Sequence, residues 1–182
     1  MNTSFQRWAP RGFLALVIAG AVVLVSTALR SSPPVRSSFA TVLNAGIASQ
    51  RSGSYDLAVT EYQRAHRMQP RNPVPLFDLG DVAQFRGQTA LAHQYYVACL
   101  ALLPTYVNAL YNLAILETAA HPQTAIALYT TATQQPVTAS NRTLVAESYF
   151  NRGYLLNKQG QKRRGAADIA TAIALDPALR GH

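Results

Sequence analysis

The chain lacks most of the residue patterns on which protein chemistry is built. It has a single cysteine, Cys99, which excludes an intramolecular disulfide and any multi-cysteine metal site. Its four histidines, His66, His93, His121 and His182, sit in unrelated contexts, and no H-E-x-x-H is present. No G-x-x-x-x-G-K-S/T and no G-x-G-x-x-G occurs, so nothing reads as a phosphate cradle. Charged residues make up only 13% of the chain, about half the usual share. The acids are dispersed, and Asp78 and Asp81 form the one close pair. On a helix they share a face and read as surface or groove polarity, not as an acid–base couple. These absences point away from an enzyme, a cofactor or a bound metal.

Acids are also missing from the first 38 residues, which hold Arg7, Arg11, Arg30 and Arg36. Residues 39–141 are charge-balanced, and residues 142–182 are basic again. The net charge of +8 is therefore a property of the two ends. It suits contact with anionic lipid at the start and argues little for nucleic acid.

Within the basic start, residues 12–29 (GFLALVIAGAVVLVSTAL) carry no charge and no polar stripe. As a helix they would span roughly 27 Å, close to a hydrocarbon core of about 30 Å. Trp8 falls where an interfacial aromatic belongs. The expectation is a single N-terminal transmembrane helix after a short basic segment, 1–11. Small residues at Ser26, Thr27 and Ala28 also fit signal cleavage, but the apolar run exceeds the usual h-region of about 7–15 residues. The balance of flanking arginines puts the amino terminus inside and the remainder on the extracytoplasmic side. Residues 30–38 (RSSPPVRSS) then read as a stiffened, solvated linker.

What the rest of the chain has in abundance is helical periodicity, and it repeats. Residues 73–104 read PVPLFDLGDVAQFRGQTALAHQYYVACLALLP. Leu76, Leu79, Gly80 and Ala83 mark one helical stripe, and Ala92, Tyr96, Cys99 and Leu100 mark a second, with a turn at Gly87. Shifted by 34 residues, 39–70 matches it: Gly46 on Gly80, Gly53 on Gly87, Ala58 on Ala92, Tyr62 on Tyr96, Pro70 on Pro104. A third copy, 107–136, fits with one residue dropped in its turn and carries Ala114, Ala125, Tyr129, Ala132 and Pro136. A fourth, 146–177, carries Gly153, Gly160, Gly165, Ile169, Ala172 and Pro177 after an insertion at 137–145. Ser140 or Asn141 could cap an early start to its first helix. A period near 34 made of two helices is a stacked helical hairpin.

At these positions the chain resembles the tetratricopeptide repeat family. The resemblance implies an all-α solenoid of four hairpins, bounded at about 39–72, 73–106, 107–136 and 146–177, with a tail at 178–182. Gly165 departs from the family's usual alanine. The resemblance also implies that the outer faces of the first helices line a groove for a protein or peptide partner. Carried over by position, that face is Leu43, Ile47, Gln50 and Arg51 in the first repeat and Phe77, Asp81 and Gln84 in the second. It continues as Asn108, Tyr111 and Ile115 in the third, then Phe150, Tyr154, Asn157 and Lys158. Its aromatic members suit a segment with apolar anchors. A carboxylate clamp of the chaperone-binding kind is not expected, because Leu43, Ile47, Asp78 and Asn108 stand at its positions.

Three further features complete the reading. Cys99 occupies a small-residue packing position and reads as a buried, inert thiol. The basic run 158–164 (KQGQKRR) falls at a turn and reads as solvated. With only five residues after Pro177, the last helix has no full capping helix, so Ile169, Ala172 and Ile173 are expected to offer a face for self-association. The function that emerges is a membrane-tethered scaffold that assists assembly of a membrane or envelope complex. The alternative is a secreted or periplasmic chaperone-like subunit released by signal cleavage.

Overall fold

The computed structural model of the protein describes residues 37–181. The expected transmembrane helix at 12–29 lies outside the described residues. Among the described residues, no helix is long and apolar enough to cross a membrane. Residues 38–182 form one compact unit.

Eight α-helices pair into four hairpins: α1 (Phe39–Arg51) with α2 (Tyr55–Met68), α3 (Val74–Phe85) with α4 (Thr89–Leu102), α5 (Val107–Glu117) with α6 (Pro122–Thr133), and α7 (Arg142–Lys158) with α8 (Lys162–Leu175). Local chemistry starts and stops them. The Ser38 hydroxyl accepts from the Thr41 amide at 3.1 Å and caps α1. Pro122 opens α6, where its missing N–H costs nothing. Within the first, second and fourth hairpins, a glycine at positive φ makes the turn: Gly53, Gly87 and Gly160.

The third hairpin has no such glycine. There the buried Glu117 carboxylate accepts from His93 Nε2 at 2.8 Å and from His121 Nδ1 at 2.5 Å. His121 is the N-cap residue of α6, and His93 belongs to α4. One carboxylate thus shapes the turn and ties it to the preceding repeat.

Inside each hairpin, a small residue on the first helix faces a large one on the second. A Cβ added at Gly80 would lie 2.5 Å from the Tyr96 ring, and at Gly46 2.6 Å from the Tyr62 ring. Ala114 and Tyr129 share one core cluster in the third hairpin. The fourth hairpin closes further, backbone against backbone: a Cβ on Gly153 would stand 2.7 Å from the Gly165 carbonyl oxygen. A Cβ on Gly165 would in turn stand 2.6 Å from the Gly153 carbonyl oxygen, which accounts for glycine where alanine is usual. An alanine there would also collide with the Asn157 side chain.

Gly80→Ala tests this packing. Helix propensity alone favours alanine by about 1 kcal/mol, and overpacking of a full core opposes it by about 1–3 kcal/mol. The Tyr96 ring cannot retreat without breaking the hydrogen bonds of its hydroxyl, so the variant should unfold at lower denaturant concentration than wild type. A midpoint equal to or above wild type would show that the contact is slack.

Between hairpins the cores are shared. Ala58 and Tyr62 of the first repeat pack with Leu79 and Val82 of the second. The second packs on Ala109 and Leu113 of the third. Val107, Leu110 and Ala132 of the third enclose Val145 of the fourth. Each repeat is therefore stabilised chiefly by its neighbours.

The fourth helix pair begins earlier than the expected repeat boundary at 146, because α7 already starts at Arg142. Asn141 is its N-cap residue but makes no capping bond. Its side chain accepts from the Thr138 amide and donates to the Pro136 carbonyl, fastening the short connection instead. Arg152 then staples the junction. It donates to both Asp168 oxygens on α8, at 2.7 and 2.8 Å, and to Thr130 and Thr133 on α6, at 3.2 and 2.8 Å.

The C-terminal face expected to be open is partly covered. Ala172 is fully buried, Ile169 and Ile173 are half-buried, and a short 3-10 turn (Pro177–Gly181) packs against α8. Ile169 lies against α7 at Gly153. Ala166, Ala167, Ala170 and Ala174 of the same helix stay exposed, so α8 is covered on one side only.

Candidate functional site

The first helices of successive repeats carry two clefts. One, of about 490 Å³, is lined by Ile47, Gln50 and Arg51 of α1, Tyr55 and Tyr62 of α2, and Asp78, Asp81 and Phe85 of α3. The other, of about 240 Å³, lies between Ile115 and Thr118 at the end of α5, Tyr129 of α6, and Asn151, Tyr154 and Leu155 of α7. A third space of about 370 Å³ adjoins it through Thr118, Tyr154 and Leu155 and reaches Lys158.

The tyrosines that pack each hairpin thread their hydroxyls through to this side. Tyr62 donates to Gln50 Oε1 at 2.6 Å. The Tyr96 hydroxyl lies 2.8 Å from Asp81 Oδ1 and 2.7 Å from Gln84 Oε1, and with one proton it donates to one of them at a time. Asn112 Nδ2 donates to Asp81 Oδ1 at 2.8 Å and to the Tyr96 oxygen at 3.2 Å. Farther along, Tyr111 is hydrogen-bonded with Glu147 and Asn151, and Tyr129 with Thr118 and Asn151. The result is a row of linked hydroxyl, amide and carboxylate groups along the first-helix face.

Electrostatics keeps that row as hydrogen-bond hardware. Burial holds the Tyr62, Tyr96, Tyr111 and Tyr129 hydroxyls above the ordinary phenol range, so they remain donors. Burial also pushes the Asp78 carboxyl up to about 7, with the neighbouring Asp81 adding to the effect. Asp81 is raised by burial and held back by its bonds from Tyr96 and Asn112. Cys99 is fully buried, and burial pushes its thiol up to about 12, which removes it from thiolate chemistry. Among the described residues, no group of three His, Cys, Asp or Glu side chains could hold a metal ion.

The sequence-derived residues divide accordingly. Ile47, Gln50, Arg51 and Asp81 come together in the first cleft, and Ile115 and Tyr154 in the second, with Lys158 in the adjoining space. Lys158 Nζ stands 4.8 Å over the Tyr154 ring. Gln84 and Tyr111 belong to the hydrogen-bonded row. Asn108 and Phe150 are half-buried on α5 and α7. Asn157 packs at the glycine crossing of the fourth hairpin.

Phe77 is a correction. It is buried, with its ring 6.0 Å from Tyr96 and 5.4 Å from Tyr106, inside the core shared by the second and third repeats. It supports the face without forming it.

Sequence reasoning missed Tyr55, Phe85, Asn112, Glu147 and Asn151 as neighbours of the groove. It also assigned Tyr62, Tyr96 and Tyr129 to packing alone. One signal was available: a packing role needs only a ring, yet all three positions hold tyrosine and none holds phenylalanine.

Residues 146–179 match the tetratricopeptide repeat family model. No curated protein matches the chain in sequence. Among solved structures, the MamA protein superposes with a TM-score of 0.62 at 21% identity, over 76% of this chain and 73% of that one. PilW, described as a widely conserved type IV pilus biogenesis factor, gives 0.65 at 17% identity, over 80% and 64%. YrrB, described as a tetratricopeptide-repeat protein with an unusual peptide-binding site, gives 0.58 at 18% identity, over 90% and 80%. Residues 146–179 thus form a tetratricopeptide repeat, and the fold of the described residues is the helical-hairpin solenoid of these structures.

Proposed function

We propose that this protein is a membrane-tethered scaffold. It holds a protein or peptide segment along its first-helix face and assists assembly of a membrane or envelope complex. The observation that carries the reading is the pair of clefts, each joining exposed apolar groups to fixed hydrogen-bonding groups. Phe85 is 71% exposed at the rim of the first, and Tyr154 is 50% exposed in the second. Paired hydroxyl, amide and carboxylate groups suit the backbone of an extended chain, and exposed aromatics suit its apolar side chains. Solved relatives in fold include one described as having a peptide-binding site and one described as a pilus biogenesis factor. The apolar run at 12–29, flanked by arginines, supports the tether and an extracytoplasmic domain.

The groove is tested by crosslinking in intact cells. Tyr154→Ala combined with Ile115→Ala should lower recovery of the wild-type partners at least fivefold. Far-UV circular dichroism should be unchanged, because both side chains are substantially exposed. Undiminished recovery would sink the groove reading. Intact mass of the membrane-extracted protein tests the tether: a mass lacking the first 28 or so residues would favour the released, chaperone-like subunit suggested by Ser26, Thr27 and Ala28.

A further inference from the structure

We infer that the cleft between the first and second repeats is a socket for a lysine or arginine side chain of the bound segment, with Asp78 as its counter-charge. The inference rests on the groove reading above and specifies the partner's chemistry at one position.

The cleft is walled by Ile47, Tyr55 and Phe85 and floored by Asp78 and Asp81. Long basic side chains need this combination, because they carry an aliphatic stem behind a charged head. Aromatic faces at Tyr55 and Phe85, with ring centroids 5.0 Å apart, add attraction for a cation. The Tyr55 ring already has the Arg86 guanidinium 5.8 Å from its centroid.

The two acids are not equivalent. Asp81 is committed to Tyr96 and Asn112. Asp78 is not: its Oδ2 is buried with no hydrogen-bond partner. A buried, uncompensated carboxylate rewards an arriving cation more than any solvated acid does. Arg51 also lines the cleft, but it is exposed, and among the described residues it forms no ion pair with either acid. The opposing possibility is that Arg51 is the anchor and the partner supplies an acid.

Proton linkage gives the socket a signature. The groups that face Asp78 are Asp81 on its own helix, Arg51 of α1, Tyr62 of α2, Cys99 of α4, and Tyr106 before α5. Burial raises Tyr62, Cys99 and Tyr106, which therefore stay neutral near pH 7, and arginine stays charged. Titration near neutrality thus falls to the acids, and Asp78 stands at about 7. A cation binds the ionised form, so the proton must leave first at lower pH. Affinity should fall by up to tenfold per unit below about 7 and level off above it.

The experiment uses the full chain in neutral detergent and a positional-scanning library of acetylated octapeptides. Wild type should select lysine or arginine at one position at least fivefold over other residues. Asp78→Asn should abolish that preference while retaining selection for apolar neighbours. Phe85→Ala, a change at an exposed rim, should weaken the selected lysine peptide about fivefold or more at unchanged thermal stability. The pH dependence of that peptide should disappear in Asp78→Asn. Peptide selection with no charge preference, or with a preference for Asp or Glu, overturns the socket and leaves the groove reading standing. No selection at any position overturns both.

Discussion

Phe77→Ala should cost about 3–5 kcal/mol of stability, the range for deleting a buried aromatic ring. Phe77 reads in sequence as a groove residue, but its ring is clasped between Tyr96 and Tyr106 where the second and third repeats meet. Removing it leaves a void that Ala83, Ala92 and Cys99 are too small to fill. At roughly 3 °C per kcal/mol for a domain of this size, the melting temperature should drop by about 10 °C. Partner capture would fall as a consequence of unfolding. Thermal unfolding by circular dichroism decides the matter. A variant that melts within 2 °C of wild type yet loses its partner would return Phe77 to the groove.

The second large effect depends on pH. Asp78→Asn should stabilise the protein at pH 8 and hardly change it near pH 4. The Asp78 carboxyl is raised from 3.8 in the unfolded chain to about 7 in the fold. A group raised on folding contributes its full stability below the unfolded value. It loses that contribution as pH climbs toward the folded value. Between about pH 4 and 7 the wild-type protein should therefore weaken, by on the order of 4 kcal/mol in all. Asparagine keeps the shape and does not ionise, so its advantage should grow across that window and plateau above it. Urea denaturation at pH 4.5 and 8 measures the difference. An equal advantage at both values would mean that the carboxylate is solvated and uncosted. The same residue that weakens the free protein at pH 8 is the one that a cationic ligand would compensate, so stability and recognition pull in opposite directions at Asp78.

Much of the architecture was legible because a repeat writes its packing rules several times. Gly46 and Gly80 face Tyr62 and Tyr96 at a common offset, and glycines at positive φ recur at three turns. The third turn was legible only as a shortened one. Its replacement device, Glu117 between two histidines, joins residues 24 and 4 positions away, and no local pattern announces that. Gly165 showed as a departure from the usual alanine. Its cause, the carbonyl of Gly153 and the side chain of Asn157, lies across the hairpin.

The groove was legible as a face but not as a set of residues. α3 carries buried side chains at Pro75, Leu76, Phe77, Leu79, Val82 and Ala83, so periodicity could not separate its packing side from its binding side. A helix clamped by neighbours on several sides has no polar stripe to mark the outward direction. Phe77 and Phe85 are both phenylalanines on that helix. One is buried and the other is 71% exposed, and the contacts of adjacent repeats make the difference.

What the sequence by itself determined is the solenoid: the helix pairs, their period and the small-to-large packing inside each hairpin. These depend on residues within about 34 positions of one another, a range over which helical periodicity and turn chemistry act directly. The tertiary structure alone decided which side chains reach the first-helix face and in what state. Tyr62, Tyr96 and Tyr129 cross the hairpin to present their hydroxyls, and Asp78 is desolvated by burial in the fold. Burial and charge depend on the sum of all neighbours, and that sum exists only once the repeats have stacked.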